Sequence, residues 1–512
     1  MVKYTLLHKP TLSTWPSLPR QVKTIIVAGI FITLTFLVLV QAARNANLRD
    51  LYNMKAMTAE ILDLEMRFMP ELESEISDRW KSASVTDGMI YSAYLDSRPE
   101  IVLEDRHYDN SGENTWAVIR VIAVLPLAMK DKPLTCYLEY RGVDEERGII
   151  QNRTASRVQP IKENWGLKYS AFFVLCDLTL PVNMDFEEFY YAQHLPLKVA
   201  LANTSLANLD ELQFVNVRYP EGGVNQANDD EDEFLAVCGP VLHHEYGRAL
   251  HLVEFIEYQL MLGAGHIMFY NESVTPEVSQ VLAHYVSRGV ATVLEWKLPS
   301  IYKFELTLRV YGQFAALNDC LYRSSFHKNY KYVLVSDIDE FIVPRMHKDF
   351  KELLNFLDPP NPSGVRNQYA SFQFRNVFFY LMYGDDKTNY DPDVPYLYLQ
   401  AKTERVENPQ KPDRRSKYIA RSQDVVEMGN HFIWHHRPGT SVFSERFEQF
   451  VVDPDVALSH HYRDCEAETT GCYLRPTLID RAAHKYVKDL GKRVRQACTD
   501  IFKESGCPAP TD

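Results

Sequence analysis

The chain has 512 residues, of which 46% are hydrophobic and 24% are charged, and its formal net charge is −13. The length predicts two or three domains, and the balance of apolar and charged residues is that of an ordinary globular protein. The acidic net charge argues against a nucleic-acid-binding protein, because binding to a phosphate backbone requires a basic surface.

The first predicted element is a transmembrane signal-anchor helix over residues 24–43, TIIVAGIFITLTFLVLVQAA, which contains no charged residue. Twenty helical residues span about 30 Å, the thickness of the bilayer core. The alternative is a cleaved signal peptide, but the apolar run is long for one and no clear cleavage site follows it. The tail, residues 1–23, has four basic residues and no acid. The positive-inside rule therefore places the tail in the cytosol and the rest in the lumen or outside the cell.

Two features after residue 43 are typical of a luminal chain. Glycosylation sequons occur at Asn152, Asn203 and Asn271. All eight cysteines also lie after the predicted span, and an even number in an oxidising compartment suggests disulfide bonds. Cys465 with Cys472 and Cys498 with Cys507 are the simplest pairings. No C-x-x-C pair is present, which argues against a structural zinc site.

Three segments precede the predicted catalytic domain. Residues 44–85 carry apolar residues at alternating spacings of three and four, which predicts a helical stem. Residues 86–225 contain β-branched and aromatic runs separated by turns, which predicts a β-rich, sandwich-like accessory domain. Residues 226–234 include five consecutive acids and are expected to form a solvated acidic linker.

From residue 235 onward the pattern changes to alternating strands and helices. FLAVCGPV, HIMFYN, ATVLEW and YVLVS are predicted strands, separated by helical patterns at residues 248–262, 276–288 and 311–327. This alternation predicts a mostly parallel α/β sheet covered on both faces. Ligands of such sheets lie at the carboxyl ends of the strands. We assign residues 235–512 to this domain, with a helical extension at its end.

The stretch YVLVSDIDEFIVPR, residues 332–345, places three acids directly after a predicted buried strand. Asp337 and Asp339 are separated by one residue, so their carboxylates can converge on one cation. Oxygen ligands suit Mn²⁺ or Mg²⁺, and such a cation can hold the diphosphate of a nucleotide sugar as a leaving group. A D-x-D pattern alone also fits a solvated turn. Its place at a strand end favours the metal.

Several blocks of the second half resemble glycosyltransferase family 92. They are residues 238–273, 312–323, 332–345, 416–432 and 458–463, in that order. The resemblance covers about residues 235–465. It implies a type II Golgi membrane enzyme with a glycosyltransferase A-type fold. It also implies transfer of galactose from UDP-galactose, with inversion, to form β-1,4-galactosides.

The resemblance implies roles for residues in the matching blocks. Asp337 and Asp339 would hold Mn²⁺ and the UDP diphosphate, with His431 and His461 as candidates for a further metal ligand. Lys417 and Arg463 would counter the phosphates. Asn318 and Asp319, in the helix before the acidic strand, either reach the nucleotide or only pack their helix.

An inverting transfer needs a general base, usually an Asp or a Glu, to accept the proton of the acceptor hydroxyl. Asp385, Asp386, Glu404 and Glu427 lie between the D-x-D motif and the late histidines. We take Glu427 and Asp386 as the base candidates, although the sequence does not decide between the four.

Two functions of other classes stay open. One is a non-catalytic glycan-binding protein that retains the fold, and the other is a hydrolase with two carboxylates that face each other across a cleft. The expected partners are a nucleotide-sugar donor, a glycan acceptor and the membrane, but no nucleic acid. The sequence leaves the oligomeric state open, and a homodimer is one alternative.

Overall fold

The computed structural model describes residues 79–85, 87–102, 113–141, 149–181, 195–203, 208–220, 234–359, 367–388, 394–438, 447–465, 471–472 and 474–509. The predicted tail, the predicted transmembrane helix, most of the stem and nearly all of the acidic linker lie outside these residues. Within the described ranges, no helix is both long enough and apolar enough to cross a membrane.

Strands dominate the first half of the described chain, and strands and helices alternate in the second. The strands are β1 Lys81–Ser82, β2 Met89–Asp96, β3 Glu113–Pro126, β4 Thr135–Tyr140, β5 Ile149–Thr154, β6 Arg157–Pro160, β7 Tyr169–Pro181, β8 Lys198–Ala202, β9 Val215–Arg218, β10 Leu235–Leu242, β11 His266–Asn271, β12 Ala291–Glu295, β13 Tyr332–Val335, β14 Glu340–Pro344, β15 Tyr369–Phe374, β16 Asn376–Tyr380, β17 Glu404–Val406, β18 Lys417–Arg421, β19 Val425–Met428, β20 Ile433–His436, β21 Glu448–Val451, β22 Ala457–Arg463 and β23 Thr477–Ile479. The helices are α1 Pro99–Val102, α2 Ala249–Met261, α3 Pro276–Ser287, α4 Gln313–Tyr322, α5 Phe350–Leu357, α6 Tyr398–Ala401 and α7 His484–Phe502.

The strands of the β-rich region form one continuous sheet in the order β5-β4-β8-β9-β2-β3-β7-β6, with β1 beside β2. The sheet folds over itself, because Arg153 of β5 hydrogen-bonds Thr179 of β7 and a disulfide joins Cys136 of β4 to Cys176 of β7. The end of the predicted stem is part of this unit: β1 pairs with β2, and the buried Trp80 packs in a core with residues of the sheet. We call this unit the β-rich sheet.

The second sheet has the order β12-β11-β10-β13-β18-β15-β21. Strands β12, β11, β10 and β13 are parallel to one another, and β18 pairs antiparallel to β13. The predicted alternation of strands and helices is confirmed here, and the fold of this region is mixed α/β. Helix α3 begins as its sequence suggests, since Pro276 is its first residue and the side chain of Thr275 caps the N–H of Val278.

Different elements pack against the two faces of the second sheet. Successive side chains of β13 point to opposite faces: Tyr332 and Leu334 join a core with α2, α3 and α7. Val333 and Val335 join a core with α4 and with residues of the β-rich sheet. The expectation that helices cover both faces therefore holds for only one face, because the other is shared between α4 and the β-rich sheet.

Four disulfides join all eight cysteines. Cys465–Cys472 and Cys498–Cys507 confirm the two pairings expected from the sequence. Cys238–Cys320 ties the middle of β10 to α4, so the first strand of the parallel sheet and this helix are held together covalently.

Buried charges connect α4 to the β-rich sheet. The carboxylate of Asp319 accepts hydrogen bonds from Ser92, from Tyr94 (2.7 Å) and from Tyr270 (2.8 Å), and pairs with Arg323 at 3.1 Å. Burial would raise the pKa of Asp319, but the charge of Arg323 and the hydroxyl hydrogen bonds lower it below its ordinary value. Asp319 is therefore a buried anion that ties β2 and β11 to α4.

We expect Asp319→Ala to lower the free energy of unfolding by about 3–5 kcal/mol, because it removes the carboxylate that pairs with the buried charge of Arg323. Denaturant unfolding checks this. Glu139→Ala is the matched control, since it removes only a partly exposed pair with Lys198 and should cost about 1 kcal/mol or less. Equal midpoints for Asp319→Ala and the unsubstituted protein would contradict the assignment.

Candidate active site

A cavity of about 590 Å³ lies at the carboxyl ends of β10 and β13. Its wall includes the end of β10, the first turn of α2 and the acidic turn that follows β13. The lining residues are Pro240, Val241, Leu242, His243, Tyr246, Arg248, His251, Gln313, Asp337, Ile338, Asp339, Tyr398, Arg415, His461, Arg463 and Asp464. This is the edge at which parallel α/β sheets bind their ligands.

The D-x-D motif forms a tight turn between β13 and β14. The N–H of Glu340 donates to the carbonyl of Asp337 at 3.1 Å, which turns the chain back so that Glu340 starts β14. The turn leaves Asp337 and Asp339 about one third exposed, at 30% and 36%, whereas Glu340 is 1% exposed. The two aspartates thus face the cavity and the glutamate lies beneath it.

Lys417 lies under this turn and binds two of its acids. Strand β18 pairs with β13 so that Tyr418 is opposite Val335, which brings Lys417 to the end of β13. Its ammonium nitrogen is 2.8 Å from Asp337 Oδ2 and 3.0 Å from Glu340 Oε2. Burial alone would lower the pKa of Lys417, but the charges of both carboxylates raise it above its ordinary value. The side chain is a permanent buried cation.

His461 lies on the other side of the turn. Strand β22 pairs with β14 so that His461 is opposite Glu340, and its Nδ1 is 2.7 Å from Glu340 Oε1. Its Nε2 is 3.4 Å from Asp339 Oδ2. Burial would lower the pKa of His461, but the charges of Glu340 and Asp339 raise it to about 9.

The arrangement of Asp339 and His461 fits a divalent cation. A carboxylate that accepts the Nδ1–H of a histidine directs its Nε2 toward a metal, as is usual for metal-binding histidines, and Glu340 has this position. Asp337 fits less directly, because one of its oxygens is bound to Lys417. In the described part of the chain, no three His, Cys, Asp or Glu side chains are grouped closely enough to hold a metal by themselves.

His431, the other candidate ligand, does not line the cavity. Its Nδ1 lies 3.3 Å from the carbonyl of Ser416. Burial and the nearby charge of Lys417 lower the pKa of His431 to about 4, so its ring is neutral. The structure therefore brings Asp339 together with His461, whereas His431 is not among the residues that line the cavity.

Three arginines supply positive charge around the cavity: Arg248, Arg415 and Arg463. Guanidinium groups suit phosphate oxygens because they offer two parallel N–H donors. Arg463 was expected from the sequence, whereas Arg248 and Arg415 were not. Arg248 directly precedes α2, and its position just after the first strand of a parallel sheet is the signal that could have identified it.

An aromatic stack forms another part of the wall. The ring of Tyr398 lies 4.0 Å from His251 and 5.6 Å from Tyr462, at interplanar angles of 27° and 12°. The N–H groups of Tyr398 and Leu399 donate to the buried carboxylate of Glu254. Nothing in the local sequence around Tyr398 predicts this position, because it depends on the packing of α6 on α2.

The part of the chain that contains this site matches a known protein family. The sequence pattern of glycosyltransferase family 92 matches residues 233–498. The chain belongs to glycosyltransferase family 92. The matched range contains every residue that lines the cavity.

A relative of this family 92 chain is the protein named Beta-1,4-galactosyltransferase galt-1 of Caenorhabditis elegans. The two are 24% identical over 319 residues, which are 60% of this chain and 64% of the relative.

Solved structures of TarS residues 1–349 from S. aureus are also similar. The first has a TM-score of 0.25 and 10% identity over 45% of this chain and 60% of TarS. The complex with UDP has a TM-score of 0.22 and 11% identity, over 52% and 66% of the two chains. The complex with UDP-GlcNAc has a TM-score of 0.23 and 10% identity, over 52% and 67%.

Asn318 and Asp319 do not reach the cavity of the family 92 chain. Asn318 exchanges hydrogen bonds with the backbone of Met428, at 2.9 Å and 3.0 Å, and Asp319 binds the β-rich sheet. Both side chains are fully buried. Of the two roles left open by the sequence, the structure supports packing of α4, because Asn318 bonds β19 and Asp319 bonds β2 and β11.

The two base candidates also lie away from the cavity wall. Glu427 accepts the N–H of Lys162 at 2.6 Å, and Asp386 accepts from Arg481 at 2.6 Å and from Thr403. The hydrogen bond from Arg481 lowers the pKa of Asp386. The carboxylate that does line the cavity besides the D-x-D pair is Asp464, which follows the matched block at residues 458–463.

The buried carboxyl group of Glu427 should make the free energy of unfolding depend on pH. Burial raises its pKa from 4.5 to about 7, so between these pH values the folded chain keeps a proton that the unfolded chain releases. The free energy of unfolding should therefore fall as the pH rises from about 4.5 to 7 and level off above that. Glu254, whose pKa burial also raises to about 7, contributes in the same direction.

We expect Glu427→Gln to reduce this pH dependence, since glutamine still accepts the N–H of Lys162 but does not titrate. Denaturant unfolding at pH 5.5 and 7.5 measures it, with Glu139→Gln as the surface control. If the difference between the two pH values were as large in Glu427→Gln as in the unsubstituted protein, the assignment of the slope to Glu427 would be wrong.

Proposed function

We propose that this protein is a metal-dependent glycosyltransferase with an A-type fold. It transfers a hexose, galactose from UDP-galactose, with inversion onto a glycan acceptor and forms a β-1,4-galactoside. The observation that carries the proposal is one cavity that combines the Asp337–Asp339 turn, His461 and three arginines. Membership of family 92 supports a glycosyltransferase, and the name of the C. elegans relative supports galactose as the donor sugar.

The cavity suits the diphosphate of the donor. Arg248, Arg415 and Arg463 supply guanidinium donors, and the N-terminal end of α2 adds the positive end of a helix dipole. Asp339 and His461 are the residues that would hold Mn²⁺ or Mg²⁺, with diphosphate and water oxygens completing the coordination. A cation bound there would stabilise the negative charge on UDP as it leaves.

The acceptor hydroxyl must lose a proton to a base when it attacks the sugar. Asp464 is placed for this role, because it lines the same cavity and lies beside Arg463 at the end of β22. Asp337 is less suited, since its charge is held by Lys417. We therefore propose Asp464 as the general base in place of Glu427 and Asp386.

Substitution of the two proposed cation ligands tests the function directly. Asp339→Asn and His461→Ala should each lower Mn²⁺-dependent transfer by about 100-fold or more, since either change removes one of the protein's two ligands. Transfer from UDP-galactose to a galactoside and to a fucosylated N-glycan, with Mn²⁺ or with EDTA, measures the effect. Glu139→Ala should transfer like the unsubstituted protein. Full activity of folded Asp339→Asn would refute the cation site.

We also propose a type II topology in the Golgi membrane, with residues 44–512 in the lumen. The four disulfides of the described residues support an oxidising compartment. The positively charged tail and the apolar run at residues 24–43 support the orientation.

A luminal chain should carry a glycan at Asn152 and none at Asn271. Asn152 is exposed on β5, at the edge of the β-rich sheet. Asn271 ends β11, which is paired on both sides, and its amide oxygen is buried. Mass spectrometry of the chain from animal cells, before and after removal of N-glycans, distinguishes the sites, with Asn152→Gln as the control. An unmodified Asn152 in the chain from these cells would contradict the expectation.

A further inference from the structure

The β19–β20 hairpin, residues 425–436, connects the β-rich sheet to the D-x-D turn. On its outer side the hairpin is held by groups of the β-rich sheet. Arg98 donates to the carbonyl of Val425 at 2.7 Å, and the N–H of Lys162 donates to Glu427 at 2.6 Å. Both contacts join residues that are more than 260 positions apart in the chain.

Glu163, in the loop between β6 and β7, holds the tip of this hairpin. Its Oε2 accepts the N–H of Asn430 at 3.0 Å and the indole N–H of Trp434 at 3.2 Å. The fit is tight, because a Cβ added to Gly429 would lie 2.7 Å from the same carboxylate oxygen and 2.6 Å from the ring of Trp434. The carboxylate therefore fixes both the backbone of the tip and one of its side chains.

The inner side of the tip reaches the donor cavity. The side-chain oxygen of Asn430 accepts a hydrogen bond from the ammonium of Lys417 at 3.0 Å, and Gln313, which lines the cavity, lies 3.5 Å from the same oxygen. Lys417 is the residue that binds Asp337 at 2.8 Å. An unbroken series of contacts thus runs from Glu163 through Asn430 and Lys417 to the D-x-D turn.

We propose that Glu163 is a positioning residue for the nucleotide-sugar site, so that the β-rich sheet takes part in binding the donor. The inference rests on the proposed function and deepens it. Glu163 touches neither substrate nor cation in this proposal. It acts by holding Asn430, which orients the ammonium of Lys417 between Asp337 and Glu340.

The proposal predicts an effect on donor binding rather than on the chemical step. If the tip moves, Lys417 loses its third partner and Asp337 loses a fixed orientation, while Asp339, His461 and Asp464 keep their own supports on β14 and β22. A defect that raises the donor KM with little change in kcat is the signature of lost ground-state binding. A general loss of folding would instead lower the amount of active protein and leave KM unchanged.

The experiment uses the full chain with UDP-galactose and Mn²⁺, and compares Glu163→Ala, Asn430→Ala and the double variant. Each single variant should raise the donor KM about tenfold, the scale of one hydrogen bond to a charged group, with kcat within about twofold. The double variant should resemble Asn430→Ala alone, because two residues in one series of contacts do not act additively. Glu163→Gln should recover most of the loss, since its amide oxygen can accept the N–H of Asn430.

Glu139→Ala is the matched control, because it removes a carboxylate from the same β-rich sheet without touching the hairpin. A Glu163→Ala protein with an unchanged KM would overturn the inference, and so would effects of Glu163→Ala and Asn430→Ala that multiply to about a hundredfold. If Glu163→Ala does not fold, Glu163→Asp, which keeps the charge but shortens the side chain, tests the same contact, and an unchanged donor KM in that variant would also overturn the inference. An unsubstituted protein that neither binds UDP with Mn²⁺ nor turns over any UDP-sugar would instead refute the proposed function itself.

Discussion

The candidate site depends on the ion pairs that the buried ammonium of Lys417 makes with Asp337 and Glu340. Burying the carboxylate of Glu340 beside Asp337 requires a compensating positive charge, since a buried anion loses its hydration. Lys417 supplies that charge from β18, the antiparallel neighbour of β13. Glu340 is consequently kept ionised, with its pKa lowered to about 2 by Lys417 and His461 against the effect of burial. An ionised Glu340 in turn fixes Nδ1 of His461 and directs Nε2 toward Asp339.

The need to bury one face of the parallel sheet explains why the β-rich sheet is part of the same unit. Helices α2, α3 and α7 cover one face, but α4 alone is too narrow for the other. The aromatic rings of Tyr91 and Tyr94 on the β-rich sheet complete that second core. Because α4 turns polar groups toward this interface, Asp319 is paired there with Arg323 and hydroxyl groups. Asn318 and Asp319 of α4 are thus used for packing, whereas Gln313, at the start of the same helix, lines the cavity.

The features that could be predicted from the sequence are those whose signals are local. The periods of β10, α2, β11 and α3 are visible within elements of 6 to 13 residues, and the acids after β13 stand out because a buried strand ends at them. The features that could not be predicted depend on long-range contacts. Tyr94 and Asp319 are 225 residues apart, and Glu163 and Asn430 are 267 apart. No local pattern distinguishes a polar residue on α4 that faces a ligand from one that faces another sheet.

Two segments of strained backbone lie beside the cavity. Val310 and Tyr311 adopt left-handed φ values of 43° and 49°, and His244 one of 55°, a region that costs a β-branched or bulky residue on the order of 1–3 kcal/mol. The two strained segments hold each other: Tyr311 stacks on His243 at 4.6 Å and hydrogen-bonds His244 at 2.9 Å. His243 lines the cavity, and Gln313 follows the second strained segment into its wall. Because Tyr311 contacts both His243 and His244, a change in one of the two turns is coupled to the other, and we expect this side of the cavity to keep its shape in the absence of a ligand.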